Sequence, residues 1–210
     1  DTPYPIPSNK NLPGLMLLFR HHSKNLSSIA KEMLDRSTNV TAEIIGVFAA
    51  NFWALPTPNI MASGLIMTKW FNFVSKTAGN KFVNHSGLTI KSRVSSLDFT
   101  KFLSRDETME TLVPLLKERK IYSLKTGKLI SPAVRIVAKT GTMHFNRGLA
   151  GYITKEGVPR AVFAIFSADV KKKKSLKKHQ LSNPPGSKPW LSRAKKFEND
   201  LLANWAKKYI

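Results

Sequence analysis

Lys139, Thr140 and Gly141 combine groups that can bind a carboxylate. They follow an apolar run at 136–138, which is typical of a buried strand, so we expect them at a strand edge. A lysine ammonium and a threonine hydroxyl can hold a carboxylate there by charge and hydrogen bonding. Gly141 leaves room for a peptide to lie beside the strand. The alternative is that Lys139 is only a solvated residue at the end of a strand.

Ser23 and Asn25 form a second polar group, immediately before a segment with helical periodicity. Serine and asparagine are both preferred N-caps, so capping of that helix is the alternative to a functional role. Short motifs also recur by chance. A second Lys-Thr-Gly stands at 125–127, in a predicted loop.

The hydrophobic pattern predicts the elements that position these residues. Apolar residues at helical spacing predict helices, and Ser95 with Asp98 resembles a capping box. The segment 41–55 is apolar on nearly all sides, which predicts a helix within the core. The predicted helices cover about 12–19, 26–34, 41–55, 59–76, 109–117 and 190–209, with one more after 95, and the predicted strands cover 134–138, 148–154 and 160–167. We therefore expect one α+β domain, an antiparallel sheet with helices packed on it.

The composition limits the class of protein. There are 34 basic and 13 acidic residues, and the net charge of +21 predicts attraction to nucleic acid, anionic cell-envelope polymers or a membrane surface. The lysines of the low-complexity loop 170–189 are expected to be solvated. No stretch reaches the roughly 18–20 apolar residues of a membrane span. With no cysteine and scattered histidines, we expect no metal site and no cofactor. The histidines are His21, His22, His85, His144 and His179.

The longer context of these motifs resembles a known family. "VAKTGT", "GLAGYIT" and "RAVFAIFSAD" are similar to paired strands of the D-Ala-D-Ala carboxypeptidase/endopeptidase family, the class C low-molecular-mass penicillin-binding proteins. "VNHSGLTIKSRVS" resembles that family's Asp-Gly-Ser-Gly-Leu-Ser segment, with Asn84 and His85 where Asp and Gly are commoner. "HHSKNLSSIAKEML" resembles its Ser-x-Asn helix, with Lys24 in place of Asp.

The resemblance implies an incomplete penicillin-binding/β-lactamase-like transpeptidase fold and a role for each polar residue. Lys139 and Thr140 would hold the terminal carboxylate of a peptide ending in D-Ala-D-Ala, and Gly141 would leave room for that peptide beside the strand. The backbone N–H of Thr142 would supply one arm of an oxyanion hole. Ser23 would relay a proton to the leaving D-Ala, and Asn25 would bind the amide of the acyl side.

The family's nucleophile, the serine of Ser-x-x-Lys, has no match before Ser23. Three later stretches fit the pattern: 28–31, 175–178 and 192–195. Ser28 has the right helical spacing to Lys31, but it lies where the family has ordinary helix residues. We therefore expect this chain to be the C-terminal part of the transpeptidase domain of a longer precursor, whose missing N-terminal segment is a partner. Without that segment the chain should expose apolar surface.

Three functions are compatible with these observations. The first is a periplasmic serine D-alanyl-D-alanine carboxypeptidase, with endopeptidase activity as a variant, which acts on peptidoglycan stem peptides and is inhibited by β-lactams. The second is a catalytically inactive peptidoglycan-binding protein. The third is a basic nucleic-acid-binding module, but the sequence has no recognised nucleic-acid fold and no aromatic residue within its lysine run.

Overall fold

The computed structural model of the protein describes residues 19–54, 56–123, 126–177 and 182–210. Seven helices and a four-stranded sheet lie within these ranges, which confirms the α+β prediction. The helices are α1 Leu26–Arg36, α2 Asn39–Trp53, α3 Ile60–Val74, α4 Ser96–Leu103, α5 Asp106–Leu112, α6 Val170–Lys174 and α7 Ser187–Tyr209. The strands are β1 Lys117–Lys120, β2 Val134–Met143, β3 Asn146–Lys155 and β4 Val158–Ala168.

The sheet is antiparallel, with the strand order β1-β2-β3-β4. Two-residue connections join β2 to β3 and β3 to β4, so these three strands form a meander with local pairing. Gly151 fixes the close approach of β3 to β2, because a Cβ there would lie 2.7 Å from the Cα of Ala138. Any larger residue would push the two strands apart.

Alternating side chains divide the sheet into two apolar faces. One face includes Ile136, Ile153 and Phe163, and it packs against Leu202 of α7. The opposite face includes Val137 and Tyr152, which pack with the residues of α4 and α5. The Tyr152 hydroxyl donates to the carbonyl of Leu103 at 2.8 Å. The period of two along each strand therefore positions the sheet between helical layers.

Helices α2 and α3 pack on each other and on the segment 81–93. The small residues Gly46 and Gly64 allow this segment to approach, since a Cβ on Gly46 would overlap the ring of His85. The Glu43 carboxylate accepts hydrogen bonds from the backbone N–H groups of His85 and Ser86, at 3.0 and 3.1 Å. These contacts hold the segment against the helical pair.

The prediction that 41–55 forms a helix within the core was wrong. Only Ala50 of α2 is buried, and a stripe of apolar residues on this helix faces away from the described parts of the protein. These residues are Val40, Ile44, Phe48 and Phe52, which are spaced four positions apart and are all more than 40% exposed. We call this set the α2 stripe. An all-round apolar pattern shows what a helix can bury, and it does not show which partner is present.

Other element boundaries differ from the sequence predictions. The predicted helix 109–117 ends earlier, at Leu112, and Lys117 already belongs to a strand. Within the predicted loop 170–189, residues 170–174 form α6 and α7 begins at Ser187. The predicted helix 12–19 lies almost entirely outside the described residues, as do His179 and parts of the stretches 125–127 and 175–178. No described helix has the length and apolar character that crossing a membrane requires.

Candidate active site

Lys139 lies on β2 and points to the junction between α1 and α2. Its Nζ donates hydrogen bonds to the Oγ of Ser37 and to the carbonyl of Thr140, the latter at 2.9 Å. Ser37 precedes Lys139 by 102 positions, so the contact joins the helical part of the chain to the sheet. The ammonium is thus held by oxygen atoms, and Lys139 is not simply a solvated residue at a strand end.

The surroundings of Lys139 disfavour its positive charge. Burial lowers the pKa of this lysine below the ordinary value of 10.5, and the positive charges of Arg119 and Arg147 lower it further. The carboxylate of Asp35 acts in the opposite direction. A bound anion would stabilise the charged form of Lys139 by compensating its positive charge.

Ser37 occupies an unusual backbone conformation. Its φ of 57° and ψ of 46° are left-handed, and its N–H donates to the carbonyl of Met33 to close α1. Thr38 is the N-cap of α2 and Asn39 is its first residue, so residues 37–39 have the pattern Ser-x-Asn at the start of a helix. The exposed side chain of Ser37 thus lies at the point that Lys139 reaches, and Asn39 follows two positions along the chain.

Ser23 and Asn25 lie at the opposite end of α1. The Asn25 carboxamide oxygen accepts from the N–H of Ser28 at 3.0 Å, so it caps the helix, as the alternative interpretation of the sequence proposed. Eleven residues of helix, about 16 Å, separate this cap from Ser37. Among the described residues, no hydrogen bond joins Ser23 or Asn25 to residues 139–142.

The sequence pattern therefore did not identify Ser37 as the serine that contacts Lys139. The signal was present, because Ser-x-Asn occurs at 37–39 as well as at 23–25. Only the copy at 37–39 contacts Lys139, which lies 102 positions after Ser37. Local periodicity carries no information about such a distant contact.

The outer edge of β2 is open beside Lys139. Strand β1 pairs with β2 only from Arg135 to Ala138, and β3 occupies the other side. Among the described strands, none covers the outer edge from Lys139 to Met143. Gly141 is exposed on this edge, and a Cβ there would have no neighbour within 4 Å. An extended peptide could therefore pair with this part of the strand.

A buried ion pair supports Thr142 at the end of this edge. The hydroxyl of Thr142 accepts from Arg147 at 2.7 Å. The Nε of Arg147 donates to both carboxylate oxygens of Glu198 on α7, at 2.9 and 3.0 Å. Burial raises the pKa of Glu198, and the positive charge of Arg147 partly offsets this effect. Three elements thus fix the position of the Thr142 side chain.

None of the Ser-x-x-Lys stretches in the described ranges has a serine hydrogen-bonded to its lysine. Lys31, the partner expected for Ser28, donates instead to the carbonyl of Pro114 at 2.9 Å. Ser192 and Lys195 are exposed on α7. In the described part of the chain, the histidines and acidic residues also form no group of three that could hold a metal ion.

Comparison with known proteins gives a family match and structural matches. The sequence profile of the D-Ala-D-Ala carboxypeptidase 3 (S13) family matches residues 7–182. No curated protein sequence matches the chain. The crystal structure of penicillin-binding protein 4 from Haemophilus influenzae, complexed with a β-lactam, is similar with a TM-score of 0.56 and 19% sequence identity. The match covers 86% of this chain and 42% of that one, so this chain spans less than half of the matched protein's length.

Proposed function

Since the chain belongs to the D-Ala-D-Ala carboxypeptidase 3 (S13) family, we propose that it forms the substrate-binding part of a serine D-alanyl-D-alanine carboxypeptidase. The substrate is a peptidoglycan stem peptide that ends in D-Ala-D-Ala, β-lactams are inhibitors, and the enzyme works outside the cytoplasm. The 210 residues are the C-terminal part of a transpeptidase-like domain. The nucleophilic serine and its lysine come from polypeptide outside this sequence, so this chain alone does not turn over substrate.

The open edge of β2 carries this proposal. It combines a strand edge from Lys139 to Met143 that no described strand pairs with and an ammonium whose pKa is lowered by its surroundings. A peptide paired with this edge would bring its terminal carboxylate to Lys139 and to the hydroxyl of Thr140. Carboxypeptidases need this geometry, because the group that they recognise is the free end of the substrate.

Each group of the proposed site then has a distinct task in acyl transfer. The N–H of Thr142 donates to the carbonyl oxygen on which negative charge develops as the serine attacks. Ser37, bonded to Lys139, passes a proton to the amine of the departing D-Ala. Asn39 binds the amide on the acyl side. We assign these last two tasks to Ser37 and Asn39 instead of Ser23 and Asn25, because Ser37 is the serine that contacts Lys139.

Acylation by a fluorescent penicillin tests the function and this assignment together. The experiment uses the longer protein that contains this chain. We expect Ser37→Ala to reduce the acylation rate by about 10²-fold or more, as for other proton-transfer groups. The matched variant Ser23→Ala should change the rate less than about twofold. Equal rates for both variants would refute the Ser37 assignment, and a protein that has its nucleophile but is never labelled would refute the enzyme.

A catalytically inactive binding protein is the second candidate. It is favoured by one observation, namely that no Ser-x-x-Lys serine in the described residues contacts its lysine. A peptide ending in D-Ala-D-Ala that binds the longer protein and is recovered uncleaved would select this candidate.

A further inference from the structure

A cavity of about 390 Å³ opens at the tip of the hairpin between β2 and β3. None of the residues that line it belongs to the open edge of β2, Lys139 to Met143. Residues from four parts of the chain line it: the segment 81–93, the hairpin turn, the end of β4 and α6. The lining residues are Lys81, Thr89, Ile90, Lys91, Ser92, Arg93, Phe145, Asn146, Ala168, Val170, Lys173 and Lys174.

The charge of this cavity is entirely positive. Four lysines and Arg93 line it, and no carboxylate does. Within the described ranges, none of these five cations forms an ion pair with an acidic side chain. Asp169 precedes α6, and its carboxylate accepts from the backbone N–H of Lys172 at 2.9 Å. The cations therefore repel one another without a protein anion among them.

Backbone contacts hold these cations together. Lys81 and Arg93 exchange two backbone hydrogen bonds of 2.7 Å, and the guanidinium of Arg93 donates to the carbonyls of Ile90 and Ser92. Phe145, which is 1% exposed, forms an apolar part of the wall. Its carbonyl accepts from the N–H of Asp169 at 2.9 Å, which ties the hairpin to the start of α6. The concentration of charge is thus fixed by the fold of the backbone.

Lys173 gives a second sign that an anion is suited to this place. Its side chain is half-buried, and burial lowers its pKa below the ordinary value of 10.5. A lysine removed from water in this way lacks compensation from a nearby negative charge. A bound anion would supply that charge.

We propose that this cavity binds a phosphate group. Phosphate carries about two negative charges and three strong acceptor oxygens, so a single group can engage several lysines at once. A carboxylate has fewer acceptors and one charge, and it would leave most of the five cations uncompensated. The aromatic residue of the wall is buried, so it offers no face on which a nucleic-acid base could stack. The group can come from a soluble polyphosphate or from an anionic lipid headgroup.

Calorimetric titration of the longer protein that contains this chain with tripolyphosphate tests the proposal. The variant Lys91→Glu with Lys174→Glu reverses two exposed charges of the cavity. The control, Lys196→Glu with Lys207→Glu, reverses two exposed charges on α7 and has the same net charge. We expect the cavity variant to lose about tenfold or more in affinity, and the control to lose less than about threefold, which is the general screening effect.

Vesicles of phosphatidylglycerol in phosphatidylcholine distinguish the two sources. Tripolyphosphate affinity that depends on the cavity, with equal vesicle binding by both variants, indicates a soluble phosphate. Vesicle binding that only the cavity variant loses indicates a lipid headgroup. Equal losses by the two variants in both assays would overturn the proposal, because binding would then follow total charge alone. Circular dichroism at the titration temperature is the check that both variants are folded.

Discussion

At the scale of single residues, Ser37 combines a strained backbone with a useful hydroxyl. A left-handed conformation costs an L-residue roughly 1–2 kcal/mol, and glycine avoids that cost. We expect Ser37→Gly to raise the free energy of unfolding by up to about 1 kcal/mol. The same change should reduce acylation of the longer protein as strongly as Ser37→Ala does. Urea denaturation and penicillin labelling measure the two effects, and a glycine variant less stable than the alanine variant would contradict the argument.

Lys139 should make peptide binding depend on pH. Its cationic form binds the carboxylate, and this form is lost as the pH rises through the lysine pKa. Because burial and two arginines lower that pKa, the affinity for a D-Ala-D-Ala peptide should fall at a pH clearly below 10.5. Arginine stays protonated over this range, so Lys139→Arg should bind with little dependence on pH. Fluorescence titrations from pH 6 to 10 provide the check, and parallel curves for the two proteins would argue against this role.

Two glycines of the sheet should respond differently to alanine. A Cβ on Gly141 would have no neighbour within 4 Å, so Gly141→Ala should change the free energy of unfolding by less than about 0.5 kcal/mol. The added methyl group should weaken peptide binding at the β2 edge. Gly151 lies against the backbone of Val137 and Ala138, so Gly151→Ala should destabilise the chain by about 2 kcal/mol or more. Thermal unfolding and peptide titration separate the two. A clear loss of stability in Gly141→Ala would contradict the conclusion that the β2 edge is open at this residue.

The sequence predicts part of this site. Lys139, Thr140 and Gly141 could be identified because an apolar strand ends in residues that do not suit a core. Ser37 could not be preferred over Ser23, because the two serines have similar local surroundings and differ in a distant partner. The assignment of Ser23 and Asn25 to the site, which the sequence predicts, is the alternative to Ser37 and Asn39, and the labelling experiment decides between them.

At the scale of the elements, the ion pair between Arg147 and Glu198 attaches α7 to β3. Both side chains are less than 10% exposed. Removing one partner leaves the other charge buried without compensation. Glu198→Ala should therefore lower the free energy of unfolding by about 3–5 kcal/mol. Glu32→Ala removes exposed pairs with Lys24 and Arg36 and should cost no more than about 1 kcal/mol. Guanidinium unfolding measures both, and similar losses would show that the buried pair has no special role.

The strands also show which elements a sequence can reveal. Three strands of the meander were predicted because their apolar residues alternate between two buried faces. Strand β1 was not predicted, since all four of its residues, Lys117 to Lys120, are charged and exposed. Such an edge strand exists through backbone pairing with β2, and backbone pairing leaves no trace in the side-chain pattern.

At the scale of the whole molecule, the α2 stripe is an apolar surface without a described partner. We expect the isolated chain to bind the dye ANS and to self-associate, because contiguous exposed apolar surface favours association. Replacing Ile44 and Phe52 with glutamine should reduce dye fluorescence by about half or more without loss of stability, since both are over 60% exposed. Leu97→Gln, an exposed position on α4, serves as the control and should change little. Unchanged fluorescence in the double variant would disprove a role for the stripe.

The contact between Ser37 and Lys139 joins residues 102 positions apart, so the proposed site can form only late in folding. The two residues belong to segments that can each gain local structure early, yet they meet only when the hairpin has docked against the helices. A nascent or partly unfolded chain therefore has a lysine and a serine but no centre that could react. The proposed site therefore exists only after folding has closed the loop of 102 positions between the two residues.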